Sequence, residues 1–288
     1  MTGTLYLVST PIGNINDITL RAIDTLKDVD IILTEDTRVT SKLLKHHSVI
    51  AKSSLESFNE INEDKKTPKI ISELIKGKNI ALISDAGTPL ISDPGYKFIR
   101  NIRGKNIRVE PVPGCCAFVA AITASGLPTD RFSFYGFLPR SSSKRITELN
   151  ELNHNKETLI FYESVHRIQS SVEDMINVFG GTRQAVLCKE ITKMHESFIG
   201  ETLSDISQFL TENKEKIKGE FTIVIQGYSA GKVVAEEIDE ILRILMCDLS
   251  LKKAVEIAAK VTSVSKSKIY DRALKFKNQS PCLFMHHD

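Results

Sequence analysis

Short apolar runs rich in β-branched residues alternate with helix-length amphipathic stretches through residue 226, and only helical patterns follow. That alternation constrains the fold more than any other feature, because strands separated by helices pack as an α/β architecture. Candidate strands lie at 4–9, 29–34, 79–83 and 107–110, then at 131–135, 158–161, 184–187, 196–200 and 221–226. Stretches at 18–26, 69–75, 117–124, 164–178 and 203–210 read as helices between them. The first series predicts a mainly parallel sheet; the close-set runs of the second predict antiparallel pairs.

Turn residues at Gly126-Leu127-Pro128 and a small-residue stretch at 227–232 divide the chain. Two α/β domains are expected at 1–126 and 127–228, followed by a small basic helical domain at 233–278. Its helices are expected at 236–246, 251–260 and 266–276, with Ser265 as the cap of the third, an outline that suits a helix-turn-helix or a simple helical hairpin. No apolar run approaches the ~20 residues that span a bilayer. The N-terminus reads as a first strand and lacks a signal-peptide pattern, so a cytoplasmic protein is expected. Five scattered cysteines without a CxxC spacing predict reduced thiols and no metal site.

The chain holds no GxGxxG after its first strand, no GxxxxGK[ST] and no HExxH, which argues against a Rossmann dinucleotide enzyme, a P-loop NTPase or a zincin. Glycine and proline instead punctuate four strand ends: Ser9-Thr10-Pro11-Ile12-Gly13-Asn14, the segment 84–95, Pro111-Val112-Pro113-Gly114-Cys115-Cys116-Ala117, and Phe161-Tyr162-Glu163-Ser164. Glycine lets backbone approach a ligand and proline rigidifies a loop. Ligands of open α/β sheets sit outside the strand carboxyl ends, so the four loops predict a shared cleft.

The stretches LVSTPIGNINDITLRA, TEDTRVTSKLL (34–44), ALISDAGTPLISDPGY (81–96), SGLPTDRFSFYGFLPR (125–140) and LIFYESVHR (159–167) closely resemble the small-subunit (16S) ribosomal RNA cytidine 2′-O-methyltransferase family of the tetrapyrrole methylase superfamily. The resemblance extends to KGEFTIVIQG (218–227) and the last two helices. It implies a two-domain, non-Rossmann α/β methyltransferase, typically a homodimer, with S-adenosylmethionine in the cleft between the domains. It also implies that the 84–89 loop is this family's version of the superfamily's Gly-Asp-Pro loop. On that basis Pro11, Gly13, Asp85, Ala86, Gly87, Thr88, Pro89, Pro113, Gly114 and Tyr162 border the methyl donor. Two departures stand out. Cys115 replaces a usual proline and, with Cys116, predicts an oxidation liability; Asn59 and Ile61 replace two usual histidines, so no role of theirs transfers.

Methyl transfer to a ribose hydroxyl needs alignment and a base. Glu35 and Asp36 are the candidate bases, with Glu163 and Glu190 behind them, while Asp85 is expected to position the donor. His166 and Arg167 read equally as cleft residues or as a helix-terminal turn, and 189–193 as a substrate groove or a solvated turn. Net charge is only +2, but two basic stretches are candidates for 16S rRNA within the small ribosomal subunit. Residues 139–145 carry Arg140, Lys144 and Arg145 around a serine run that predicts a mobile loop, and the tail from 249 holds eight cations, including Lys266 and Lys268, against three acids. A methylase of tetrapyrrole precursors and a non-catalytic RNA-binding protein are the alternatives.

Overall fold

The computed structural model describes residues 2–50, 53–229, 235–262 and 264–279. The chain divides into two compact units, Met1–Gly227 and Tyr228–Asp288. The expected small-residue linker therefore lies partly outside the described residues, as do Cys282 and the rest of 280–288.

Among the described residues, the strands of the first unit form two five-stranded sheets. The first contains β1 (Thr4–Val8), β2 (Ile31–Thr34), β3 (Ser54–Ser57), β4 (Ile80–Ile83) and β5 (Arg108–Val112), in the order β3-β2-β4-β1-β5. All of its pairs are parallel. Helices α1 (Leu20–Asp28), α2 (Thr37–His46), α3 (Glu63–Ile75) and α4 (Tyr96–Gly104) lie between these strands. Both faces of the sheet are buried: Leu26, Ile32, Ala81 and Ile83 belong to one apolar cluster, Leu5, Leu33, Leu74 and Phe98 to another. Double burial explains why β2 and β4 are unbroken apolar runs rather than alternating ones.

The second sheet is mixed, as expected. It contains β6 (Phe132–Phe137), β7 (Thr158–Ser164), β8 (Ala185–Lys189), β9 (Ser197–Ile199) and β10 (Glu220–Ile225), in the order β6-β7-β10-β8-β9. Only β6 and β7 run parallel. Helices α6 (Ser142–Leu152), α7 (Ile168–Phe179) and α8 (Leu203–Glu212) belong to this half of the unit. The remaining helix, α5 (Ala117–Ala124), follows β5 in sequence yet packs on the second sheet, where Ala121 and Ile122 meet Ile160, Val186 and Val224. Its small residues permit that close seating.

Four elements besides α6 depart from the expected set. Strand β3 is Ser-Leu-Glu-Ser on a sheet edge, where one apolar residue suffices. Helix α3 begins six residues before the expected start and carries Pro68 inside it. Its first residue, Glu63, is buried and accepts the Phe98 backbone N–H at 3.0 Å, capping α4 from another element. Helices α2 and α4 do carry a helical apolar period, burying Leu43 and Leu44 on one and Phe98 and Ile102 on the other, and neither is among the expected helices.

The expectation of a mobile loop at 139–145 is corrected, because 142–152 form α6. Arg145 is 2% exposed and its guanidinium pairs with Asp174 of α7 at 2.6 Å. The same side chain donates to the Pro139 carbonyl, which fastens the turn before the helix. The serine run starts the helix rather than loosening it; Ser142 Oγ donates to Asp174.

The second unit, described by itself, packs α9 (Ala235–Asp248), α10 (Leu251–Thr262) and α11 (Lys266–Gln279) around Leu242, Ala254, Ala258, Ile269 and Ala273. Arg272 of α11 pairs with Asp239 of α9.

Candidate functional site

The parallel strands of the first sheet end together, and their loops interlock there. Thr10 and Gly87 exchange both backbone hydrogen bonds, Thr10 N–H to Gly87 O at 2.9 Å and Gly87 N–H to Thr10 O at 3.1 Å. Ser84 Oγ also donates to Gly87 O. That pairing requires a left-handed residue at Gly87, with φ of 84°. Thr88 Oγ1 donates to Cys115 O at 2.9 Å, so it accepts the proton of Ser9 Oγ at 3.0 Å. At Gly114 a Cβ would stand 2.9 Å from Ser9 Cβ, so only glycine lets the third loop approach the first. Leu90 and Ser92 also adopt left-handed backbone, at φ of 74° and 64°. Each costs about 1–3 kcal/mol, a strain that collects at functional loops.

A cavity of about 440 Å³ opens beside this knot and reaches the second sheet. Glu35, Asp85, Ala86, Gly87, Thr88 and Tyr162 line it. Pro11, Gly13, Pro113, Gly114 and Asp36 do not, and Pro89 lines a smaller neighbouring recess with Glu35 and Asp93. Pro113 and Gly114 lie in the knot behind the wall. Gly13 is pressed against the second sheet's 190–196 turn, where Asn14 N–H donates to Thr192 Oγ1 at 2.9 Å.

The carboxylates in and around the cavity differ sharply. Glu35, half-buried at the end of β2, is pushed up to about 6, first by burial and then by Asp93 and Asp85. Asp93 is also pushed up to about 6 by burial and Asp85. Its Oδ2 is shielded from solvent and has no partner among the described residues. In the sequence Asp93 reads only as part of a turn; its raised carboxyl needs the loop's folding to appear. Asp36 is the N-cap of α2, and hydrogen bonds from Arg38 hold it down to about 2. Glu163 is buried, pairs with Arg167 at 2.7 Å and accepts from Ser171 Oγ at 2.6 Å. Glu190 pairs with Lys193 at 2.9 Å, and Lys193 with Glu220 at 3.0 Å. Tyr162 accepts the Phe118 N–H at 3.0 Å, and burial pushes its hydroxyl up.

The two departures acquire physical reasons. Cys115 Sγ donates to Asp17 O at 2.8 Å, filling a proline's place with a hydrogen bond. Burial raises both Cys115 and Cys116, which favours their protonated thiols. Asn59 and Asn62 exchange side-chain to backbone bonds at 3.0 and 3.2 Å and close the turn into α3. Ile61 is 96% exposed, and neither Asn59 nor Ile61 lines the cavity.

Residues 4–207 match the family model of the Tetrapyrrole (Corrin/Porphyrin) Methylases, and 232–277 that of the RsmI C-terminal HTH domain. A Vibrio cholerae protein named ribosomal RNA small subunit methyltransferase I is 44% identical over 273 residues, 94% of each chain. The Escherichia coli O157:H7 protein of the same name is 42% identical over 95% of each. This chain belongs to the ribosomal RNA small subunit methyltransferase I family. The chain also shares the fold of solved structures. Cobalt precorrin-4 methyltransferase, at 16% identity, covers 77% of this chain and 94% of its own with a TM-score of 0.59. Uroporphyrin-III C-methyltransferase from Thermus thermophilus, solved with S-adenosyl homocysteine, has 18% identity, 78% and 97% coverage and a TM-score of 0.54.

Within this methyltransferase fold, the expected basic residues separate. Arg140 and Lys144 are exposed at the start of α6, whereas Arg145 is turned inward, which removes it from any outer surface. Lys266 and Lys268 are exposed in the first turn of α11. His166 is exposed, and Arg167 reaches Leu138 O at 3.1 Å, tying the fourth loop to the end of β6. Among the described residues no cluster of His, Cys, Asp or Glu could hold a metal ion, and no helix is long and apolar enough to cross a membrane.

Proposed function

We propose that this protein uses S-adenosylmethionine to methylate the ribose 2′-oxygen of a cytidine in 16S ribosomal RNA, on the assembled small subunit. Support for the RNA substrate comes from the relatives' shared name over nearly the whole chain. The observation that carries the chemistry is Glu35, a half-buried carboxylate raised to about 6, in the same cavity as the Asp85–Thr88 loop.

The cavity suits the methyl donor. Its volume falls in the ~300–1,000 Å³ range of small-molecule sites. Backbone of 85–88 offers polar groups, Asp85 a carboxylate for a cationic ligand, and Ile12, Ile91 and Ile191 an apolar wall. The knot behind it, in which Thr10 pairs with Gly87 and Thr88 bonds to Cys115 O, holds that backbone in place. When bound, the donor supplies a methyl group on a positively charged sulfur that leaves with its electron pair. Glu35 accepts the proton the ribose hydroxyl releases, since a pKa near the working pH suits a general base. Asp36, held at about 2 by Arg38, is a poorer base and caps α2 instead. Arg140, Lys144, Lys266 and Lys268 contact the phosphate backbone. A cofactor cleft between 1–126 and 127–228, a homodimer and a cytoplasmic location complete the reading; exposed apolar Val119 and Phe132 support self-association.

The test is transfer of labelled methyl from S-adenosylmethionine to small ribosomal subunits, deproteinised 16S rRNA and a tetrapyrrole precursor in parallel. Label in the subunits that nuclease mapping assigns to a 2′-O-methylcytidine is expected. Label on the tetrapyrrole alone overturns the RNA reading, and no label with donor still bound marks a non-catalytic binding protein.

A further inference from the structure

Along β6, Phe134 lies opposite Ile160 of β7, but Gly136 rather than Tyr135 lies opposite Phe161. Tyr135 is thus an extra residue, a β-bulge. Side chains alternate along a regular strand, so Phe134 and Phe137, three residues apart, would otherwise face opposite sides of the sheet. One inserted residue puts them on the same side. Ring contacts agree: both meet Tyr162, with centroids at 4.8 and 5.7 Å, while Tyr135 stacks on Phe161 at 5.4 Å across the other face. Gly136 supplies the left-handed backbone, φ 65°, and a Cβ there would stand 3.0 Å from Ser92 Oγ of the β4 loop.

The bulge gives up regular pairing to deliver a large apolar ring to the cavity wall, where it remains 55% exposed. The core on the opposite face, with Leu149 and Phe161, is filled by Leu138, while the Phe137 ring stays half exposed on the cavity side. The chain then continues into exposed Arg140 and Lys144. A ribose inside an RNA stack cannot reach a cavity of this size, so its nucleotide must splay out and its base must find a replacement for the lost stacking.

We propose that Phe137 is the platform on which that unstacked base rests, holding the attached ribose in the cavity that Glu35 lines. This rests on the ribosomal RNA reading above. Aromatic rings serve single-stranded bases in this way at about 1–3 kcal/mol per base, and the exposed cations that follow Phe137 suit the flanking phosphates.

The experiment compares Phe137→Tyr, Phe137→Trp and Phe137→Leu in the full-length protein. The readouts are kcat and KM for small subunits, calorimetric affinity for S-adenosylmethionine, and sedimentation. Leucine keeps the bulk and removes the π face. Phe137→Leu is expected to lose roughly ten- to a hundredfold in kcat/KM, mostly through KM, with donor affinity and oligomeric state unchanged. The tyrosine and tryptophan variants should stay within a few-fold of the parent. Full activity of Phe137→Leu overturns the platform, as does an equal loss of donor affinity, which would place Phe137 against the donor instead. A shift to smaller species would make the ring an interface residue and overturns the platform as well. Parent protein that transfers no methyl to RNA sinks the functional reading and the platform together; active parent with an unaffected leucine variant sinks the platform alone.

Discussion

The backbone N–H of Asp36 donates to Asp85 Oδ1 at 3.0 Å, so the loop after β4 is pinned to the end of β2 through one side chain. The bond sets the distance between the carboxylate expected to position the donor and the strand end that carries Glu35. Asp85→Asn keeps an acceptor and removes the charge; Asp85→Ala removes both. Donor affinity measured by calorimetry should fall a few-fold for the first and at least about tenfold for the second, in line with losing a charge-assisted contact.

Glu35 makes activity depend on pH in a defined direction. Its carboxyl is raised to about 6 by burial, Asp93 and Asp85, so kcat/KM should fall about tenfold per unit below pH 6. Glu35→Gln should abolish that limb and cost ~10²–10⁴ in kcat while the donor still binds. Stability moves the other way. Between about 4.5 and 6 the folded state holds a proton that the unfolded state has released. The contribution is therefore present below 4.5 and lost as pH rises through 6. Glu35→Gln should then unfold at higher urea at pH 7.5 by about 1 kcal/mol, discounted for partial exposure, with no gain at pH 4.

Arg145 and Arg140 are separated by five positions in sequence and by their physical tasks. Arg145→Met leaves Asp174 buried without its cation and should cost about 3–5 kcal/mol in urea unfolding. Arg140→Ala and Lys144→Ala should leave stability within ~0.5 kcal/mol. Each should lower the salt dependence of RNA binding by about one phosphate contact.

Thiol mapping checks the cavity wall at Cys116. Burial raises Cys115 and Cys116, while Cys247 is exposed on α9. Iodoacetamide at pH 8, followed by mass spectrometry, should modify Cys247 at least about tenfold faster than either of the paired cysteines. S-adenosylmethionine should slow Cys116 further, because that residue lines the cavity and Cys115 does not.

Burial on both faces makes a parallel strand continuously apolar, which is why β1, β2 and β4 can be read from the chain alone. An edge strand has no such obligation, and β3 left no hydrophobic trace. Residues 84–95 announce special backbone through glycine and proline, yet nothing local distinguishes Asp93, whose carboxyl is raised only once the folded loop buries it beside Asp85. The serine run before Arg145 resembles a flexible loop because the acid that fixes it, Asp174, is 29 residues away on another helix.

Local patterning, then, determined the α/β order, the punctuated strand ends and the trailing helices, since periodicity and turn chemistry act over a few neighbouring residues. Tertiary structure alone decided that α5 sits on the second sheet, that Arg145 turns inward, and that one extra residue in β6 brings Phe137 round to the cavity. Each of those outcomes depends on partners distant in sequence, or on a register that only strand pairing sets.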